Sequence, residues 1–305
     1  MSQARDTALI RAMPAVFVLI WSTGFIVARY GMPHAPPMKF LAVRFALSIL
    51  CFLPWIALAG VAWPGKRAQW GHLAVAGVLM HACYLGGVWA AIRAGMGSGL
   101  SALIVGLQPV LTAVWLSVTG GAVSRRQWLG LSLGLGGLLL VVSGKLGAGS
   151  EADGSNLVLA VGALLGITLG TLYQKRFVAP CDVRSANVIQ LTAALLVTLP
   201  FAALEPATMN WNPELVSAMA WSVLVMTLGG SSLLYLLIQR GAATSVTSLM
   251  YLVPPSTALI AYLLFGEAIT LATVAGTVLT AVGVALVARQ AQPSLSPDLI
   301  QKERS

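Results

Sequence analysis

The chain has 305 residues, of which 58% are hydrophobic and only 9% charged, against roughly 25% charged in a soluble domain. So little charge cannot cover a water-facing surface, which excludes a soluble enzyme, a nucleic-acid binder and a disordered tail. The net charge of +9 is spread thinly between apolar runs, the pattern of loop charges that orient membrane helices.

A membrane-spanning helix needs about 20 largely apolar residues, and ten such stretches follow one another. Span one, 12–29, begins after Arg5 and Arg11 in the manner of a signal peptide. No small-residue cleavage site follows it and nine more spans do, so it is expected to be the first helix of the mature protein. Trp21 sits roughly 13 Å into it at 1.5 Å per residue. Its indole N–H needs a partner at that depth, in a cavity wall or in a packed core. Span two, 38–59, carries Arg44, which is expected to snorkel to the outer interface towards Glu267. Span three, 70–92, puts His81 and Tyr84 on one helical face. His81 is either a satisfied structural residue or a midplane functional group.

Span four, 98–119, follows span three after only 93–97 and contains Gln108 and Pro109 near its middle. Span five, 127–144, is glycine-rich. Spans six to eight, 156–177, 185–204 and 215–238, include Tyr173. Span nine, 243–265, has Tyr251 and the Pro254-Pro255 pair near its middle, and span ten is 269–288. An interior proline removes a backbone hydrogen bond, and the freed carbonyl must face protein or water-filled space. Helices broken at matching positions in two halves are the sequence pointer to a transporter's site. Pro109, Pro254 and Pro255 are therefore expected as hinges. Trp21, His81, Tyr84, Gln108, Tyr173 and Tyr251 are expected to line one midplane cavity. For Gln108 the alternative is an interhelical hydrogen bond.

Ten spans put both termini on one side. That side holds Arg5, Arg11, Lys66, Arg67, Arg125, Arg126, Lys175, Arg176, Arg184, Arg240, Arg289, Lys302 and Arg304, 13 of the 18 basic residues. Basic loops stay in the cytoplasm, so a plasma-membrane protein with cytoplasmic termini is expected. A shift of about 146 residues also aligns the halves, as internal repeats do. Gly24 then meets Gly170, Pro54 meets Pro200, Gly130 meets Gly276 and Gly137 meets Gly283. An odd number of helices per repeat inverts the second repeat, the plan of secondary transporters. The expected division is 1–149, 150–292 and a cytoplasmic tail, 293–305.

Several segments carry a family resemblance. They are Trp21 through Gly31, Pro37 through Arg44, Leu107-Gln-Pro-Val-Leu111, and most specifically Leu252 through Glu267 with the glycine helix that follows. With these the chain resembles the drug/metabolite transporter superfamily with two EamA-type domains, and is similar to its aromatic amino-acid exporter branch. The resemblance implies an all-helical polytopic membrane fold of two inverted five-helix repeats, and export of a small metabolite, most often an amino acid. The Gly266-Glu267 ending of the second repeat has no twin in the first, where Gly121-Ala122 stands.

No Asp or Glu falls inside any span. Ion-coupled carriers commonly keep a carboxylate there, so downhill uniport of a net-neutral solute is expected, with His81 as a hydrogen-bond partner. The alternative is proton-coupled antiport through His81. An intramembrane enzyme would need a pair such as Ser98 and His81, and no nucleophile, metal or phosphate-loop motif supports it. Cys51, Cys83 and Cys181 form no C-x-x-C pair. No cofactor, metal or nucleic-acid partner is expected, only a small-molecule substrate and the lipid bilayer.

Overall fold

The computed structural model describes residues 2–119, 124–145, 151–230, 233 and 252–288. Among the described residues ten helices follow one another in the order expected: α1 Ser2–Gly31, α2 Pro37–Leu58, α3 Arg67–Arg93, α4 in two pieces (Ser98–Val105 and Gln108–Val118), α5 Arg125–Ser143, α6 Gly154–Phe177, α7 Val183–Leu204, α8 Pro213–Gly229, α9 Val253–Phe265 and α10 Leu271–Ala288. Among the described residues, α2, α3, α6 and α7 are long and apolar enough to cross a membrane, and the other six contain shorter apolar helices.

The helix ends follow local chemistry. Pro37 and Pro213 open α2 and α8, where a missing N–H costs nothing. Asp153 accepts from the backbone of Ser155 and Asn156, and the Asn156 side chain accepts from Asp153 in return, a capping box that starts α6. Asp182 caps α7 by accepting from Arg184 N–H at 2.8 Å. The Arg184 guanidinium also bonds this carboxylate and holds it below its ordinary pKa. α9 stops at Gly266, whose φ of +66° suits glycine. Arg93 is followed by Gly95 at φ +99°, which turns α3 into α4 within a few residues.

The element bounds repeat. α2 and α7 correspond end for end, α5 and α10 at their starts, α1 and α6 at their ends, and α3 and α8 at their starts. Both α3 and α8 also contain a π-helical segment, Val78–Cys83 and Trp221–Gly229, that ends at equivalent positions.

Glycine contacts show the same correspondence. A Cβ on Gly137 would lie 2.5 Å from the Gly276 carbonyl oxygen, and one on Gly283 would lie 2.5 Å from the Gly130 carbonyl oxygen. Gly130 and Gly276 are equivalent, as are Gly137 and Gly283, so α5 and α10 pack antiparallel with each repeat reading the other. Thr280 Oγ1 closes the contact by donating to the Gly134 carbonyl at 3.3 Å. Small residues of this kind let membrane helices approach closely. Gly137→Val is expected to lower stability by about 1–3 kcal/mol, the cost of overpacking a close contact. Gly136→Ala, where nothing lies within 4 Å, is expected to leave the melting temperature unchanged or raise it. Thermal unfolding in detergent checks both.

The larger apolar core joins α1, α2, α3, α6, α7 and α8 around Phe40, Phe45, Phe52 and Trp89.

Candidate functional site

A cavity of about 560 Å³ lies between α1, α2, α3, α6, α7 and α8. Phe17, Trp21, Phe25, Phe45 and Trp89 form aromatic walls. Arg44, His81, Tyr84, Gln190 and Thr227 supply the interior polar groups, and Lys175 with the segment from Val178 to Val183 surrounds the mouth. Apolar walls with a few convergent polar groups are the usual make-up of a small-molecule site.

The interior polar groups are paired across the repeat. Arg44 Nη2 donates to Thr227 Oγ1 at 3.3 Å. His81 Nε2 lies 3.3 Å from Gln190 Oε1, and because that oxygen can only accept, Nε2 carries the proton. Arg44 and Gln190 are equivalent positions, and so are His81 and Thr227. Exchanging the halves therefore turns one bond into the other. His81 and Thr227 both lie in the π-helical segments, and such segments recur at functional sites. In α8 the Thr227 hydroxyl donates to Ser222 O at 2.9 Å, the five-residue reach of a π turn. Gln190 Nε2 continues the network to Gln174 Oε1 at 3.1 Å.

The opposite end of the bundle is shut. Phe40 is fully buried and stacks on Trp89 with ring centroids 4.3 Å apart. Two carboxylates from the second half cap helices of the first. Glu205 accepts from Met38 N–H at 3.0 Å and Lys39 N–H at 2.9 Å, at the start of α2. Glu267 accepts from Ser98 N–H and Oγ, both at 2.8 Å, and from Gly99 N–H at 3.2 Å, at the start of α4. Asn210 N–H donates to His34 O at 2.8 Å, and Arg93 donates to Met32 O. A second, open hollow of about 430 Å³ on this side, lined by Arg29, His34, Arg93 and Glu214, shares no lining residue with the first.

Of the residues expected in one cavity, Trp21, His81 and Tyr84 meet there. Gln108 does not line it. Its amide donates to Thr171 Oγ1 at 2.9 Å, joining α4 to α6. Tyr173 also lies outside, its hydroxyl 2.9 Å from His72 Nδ1 and its ring against Phe177. Tyr251 lies outside the described residues. α4 is interrupted at Gly106 and Leu107, so Pro109 belongs to the first turn of its second piece, and Pro254 and Pro255 open α9. The interruption of α4 touches the start of α9, with Pro254 Cγ 3.0 Å from where a Gly106 Cβ would be, and none of the three prolines lines the cavity. Ser98 bonds Glu267 while His81 bonds Gln190, so the two do not form a catalytic pair.

Arg44 corrects a further expectation. It does not snorkel towards Glu267: it is 6% exposed, faces the cavity and bonds α8. Gln190 and Thr227 were not anticipated as site residues at all. Aligning the halves supplies the missing signal, because it sets polar Gln190 and Thr227 at the positions of Arg44 and His81.

A helical membrane bundle with an internal repeat and a cavity open at one end has the form of a transporter. The chain belongs to the EamA-like transporter family, which matches residues 12–143 and again 154–289. It is 26% identical over 197 residues to the "Uncharacterized inner membrane transporter YedA" of Escherichia coli (strain K12), a match spanning 64% of this chain and 63% of that protein. It is 23% identical to the "Probable amino-acid metabolite efflux pump" of Salmonella typhimurium, over 88% of this chain and 90% of that one. A solved crystal structure shares the fold, with a TM-score of 0.63, 17% identity and coverage of 94% of this chain and 99% of the other.

Proposed function

We propose that the protein is a facilitative exporter of small metabolites, with amino acids of aromatic or bulky apolar side chain preferred. It works by alternating access between two inverted five-helix repeats, residues 1–149 and 150–292, in a bacterial inner membrane with both termini in the cytoplasm. The observation that carries this reading is the single-ended cavity, aromatic along its walls and polar within. Its mouth lies at the end carrying Lys66, Arg67, Lys175 and Arg176, the residues assigned to the cytoplasm, so the cavity opens inward. The antiparallel α5–α10 contact and the exchanged Arg44–Thr227 and His81–Gln190 bonds support inversion about an axis through the site. Swapping the conformations of the repeats would then close this mouth and open the Phe40–Trp89 end. The relative named as a metabolite efflux pump supports the substrate class.

Proteoliposome counterflow tests the function. Labelled phenylalanine or leucine is expected to enter vesicles preloaded with the unlabelled amino acid, to equilibrate without a pH gradient, and not to be accumulated when one is imposed. Accumulation driven by a pH gradient and lost in His81→Gln would replace uniport with proton antiport. Absence of flux for every small metabolite tried would overturn the transporter reading for this chain.

A further inference from the structure

We infer that Arg44 anchors a carboxylate of the transported solute, so that the cavity takes monocarboxylates and amino-acid zwitterions and refuses amines and amides of the same shape. The inference rests on the transporter reading and names the chemistry its site selects.

The guanidinium is buried, and no described acid is bonded to it. Glu151 is bridged by Lys145 and Asp182 by Arg184. Glu205 and Glu267 are engaged by helix N-termini at the shut end. The stretch 231–251 contains no Asp or Glu. Arg44's bond to Thr227 is 3.3 Å, long for a charged donor, and among the described residues its Nε has no partner. A guanidinium carries five donors in a rigid fork that matches a carboxylate. A buried charge without a counter-charge is costly, and an anion in the cavity removes that cost.

The rest of the lining agrees. Among the described residues it includes a second cation, Lys175 at the mouth, and no acid. The side-chain oxygens of Gln174, Asn187 and Gln190 can accept from an ammonium group without requiring one. By the rise per residue, Arg44 is about 10 Å from the shut-end start of α2. A carboxylate there leaves the solute's apolar body among Phe17, Trp21 and Phe45.

The test uses the full chain in lipid nanodiscs and four ligands of similar size: phenylalanine, 3-phenylpropionate, phenethylamine and phenylalaninamide. Tryptophan fluorescence and thermal unfolding report binding. The two carboxylates are expected to bind and raise the melting temperature, and the amine and amide are not. Arg44→Gln is expected to weaken carboxylate binding roughly 30-fold or more, the scale for removing one partner of a buried charged contact. Ligand-free Arg44→Gln should melt no lower than the parent, because it loses a buried charge that has no bonded counter-charge among the described residues. If that variant does not fold, Arg44→Lys keeps the charge but loses the rigid fork that matches a carboxylate, and should weaken the carboxylates alone. Equal binding of amine and carboxylate, no binding of either carboxylate, or unchanged carboxylate affinity in the folded variant overturns the assignment. Each of these leaves the transporter reading standing if counterflow of another solute is observed. Carboxylate binding without flux would fail that reading instead.

Discussion

Replacing Glu267 with alanine is expected to loosen the shut end and shift the protein towards the state open on that side. The carboxylate belongs to the loop after α9, yet it caps α4 of the other half with three hydrogen bonds. It is 8% exposed, so water does not replace those bonds while the end stays shut. Hydrogen bonds to a charged group contribute about 1.5–3 kcal/mol each. Discounting for mutual dependence and for water entering the opened end, a net loss of about 3 kcal/mol moves a two-state equilibrium roughly 100-fold. Glu205 fastens α2 in the same cross-half manner, whereas the equivalent helix at the mouth, α7, is capped by its own Asp182. Opening the mouth therefore leaves its helix cap intact, while opening the shut end must break two caps. Met96 is fully buried beside α4 and serves as the reporter. In a background without Cys51, Cys83 and Cys181, Met96→Cys should resist an impermeant thiol reagent applied from outside, and should react at least about tenfold faster once Glu267→Ala is added. Equal reactivity would mean that Glu267 does not hold the end shut.

The helices were legible because lipid imposes apolar runs of fixed length, and the repeat because Gly and Pro mark the same contacts twice. Trp21, His81 and Tyr84, picked out by depth and helical spacing, line the cavity. Depth does not fix the rotation of a helix, so Gln108 and Tyr173 at plausible depths turned instead to Thr171 and His72. Pro109 follows the interruption of α4 and Pro254 opens the described part of α9, and these two points pack against each other without lining the cavity. Arg44 faces the cavity and does not snorkel; a single basic residue near a helix end fits either position until its helix's buried face is known. Its face was nevertheless available: Phe40, Phe45, Ser48 and Phe52 are buried with it along one side of α2, and Ser48 is a polar residue one turn on. The strongest unused signal was the pairing of polar residues between halves. In the sequence Glu267 stands out only as a motif without a twin and Glu205 not at all, since a loop carboxylate's partner depends on the tertiary fold.

Substituting tryptophan for Ala186 is expected to stop transport while leaving the fold intact. Ala186 on α7 lines the cavity near its mouth, and its equivalent on α2 is Phe40, the ring that stacks on Trp89 at the shut end. The same position thus carries a plug where the bundle is closed and a small side chain where it is open. At position 40 the surroundings are fully packed, so enlarging that residue would cost stability. At position 186 the added indole enters open cavity volume, and the expected change in stability is within about 1 kcal/mol. The indole narrows a passage of which a bound solute must occupy most, so the exchange rate should fall by roughly tenfold or more. Ala186→Ser, which adds a single oxygen, should transport at close to the parent rate. Ala186→Cys, in the cysteine-free background, should show inhibition that grows with the size of the thiol reagent attached. Counterflow and thermal unfolding on the same preparations separate obstruction from misfolding. A tryptophan variant that unfolds normally and still exchanges solute at the parent rate would mean that the solute does not pass this mouth, and the single-ended cavity would lose its place as the transport route.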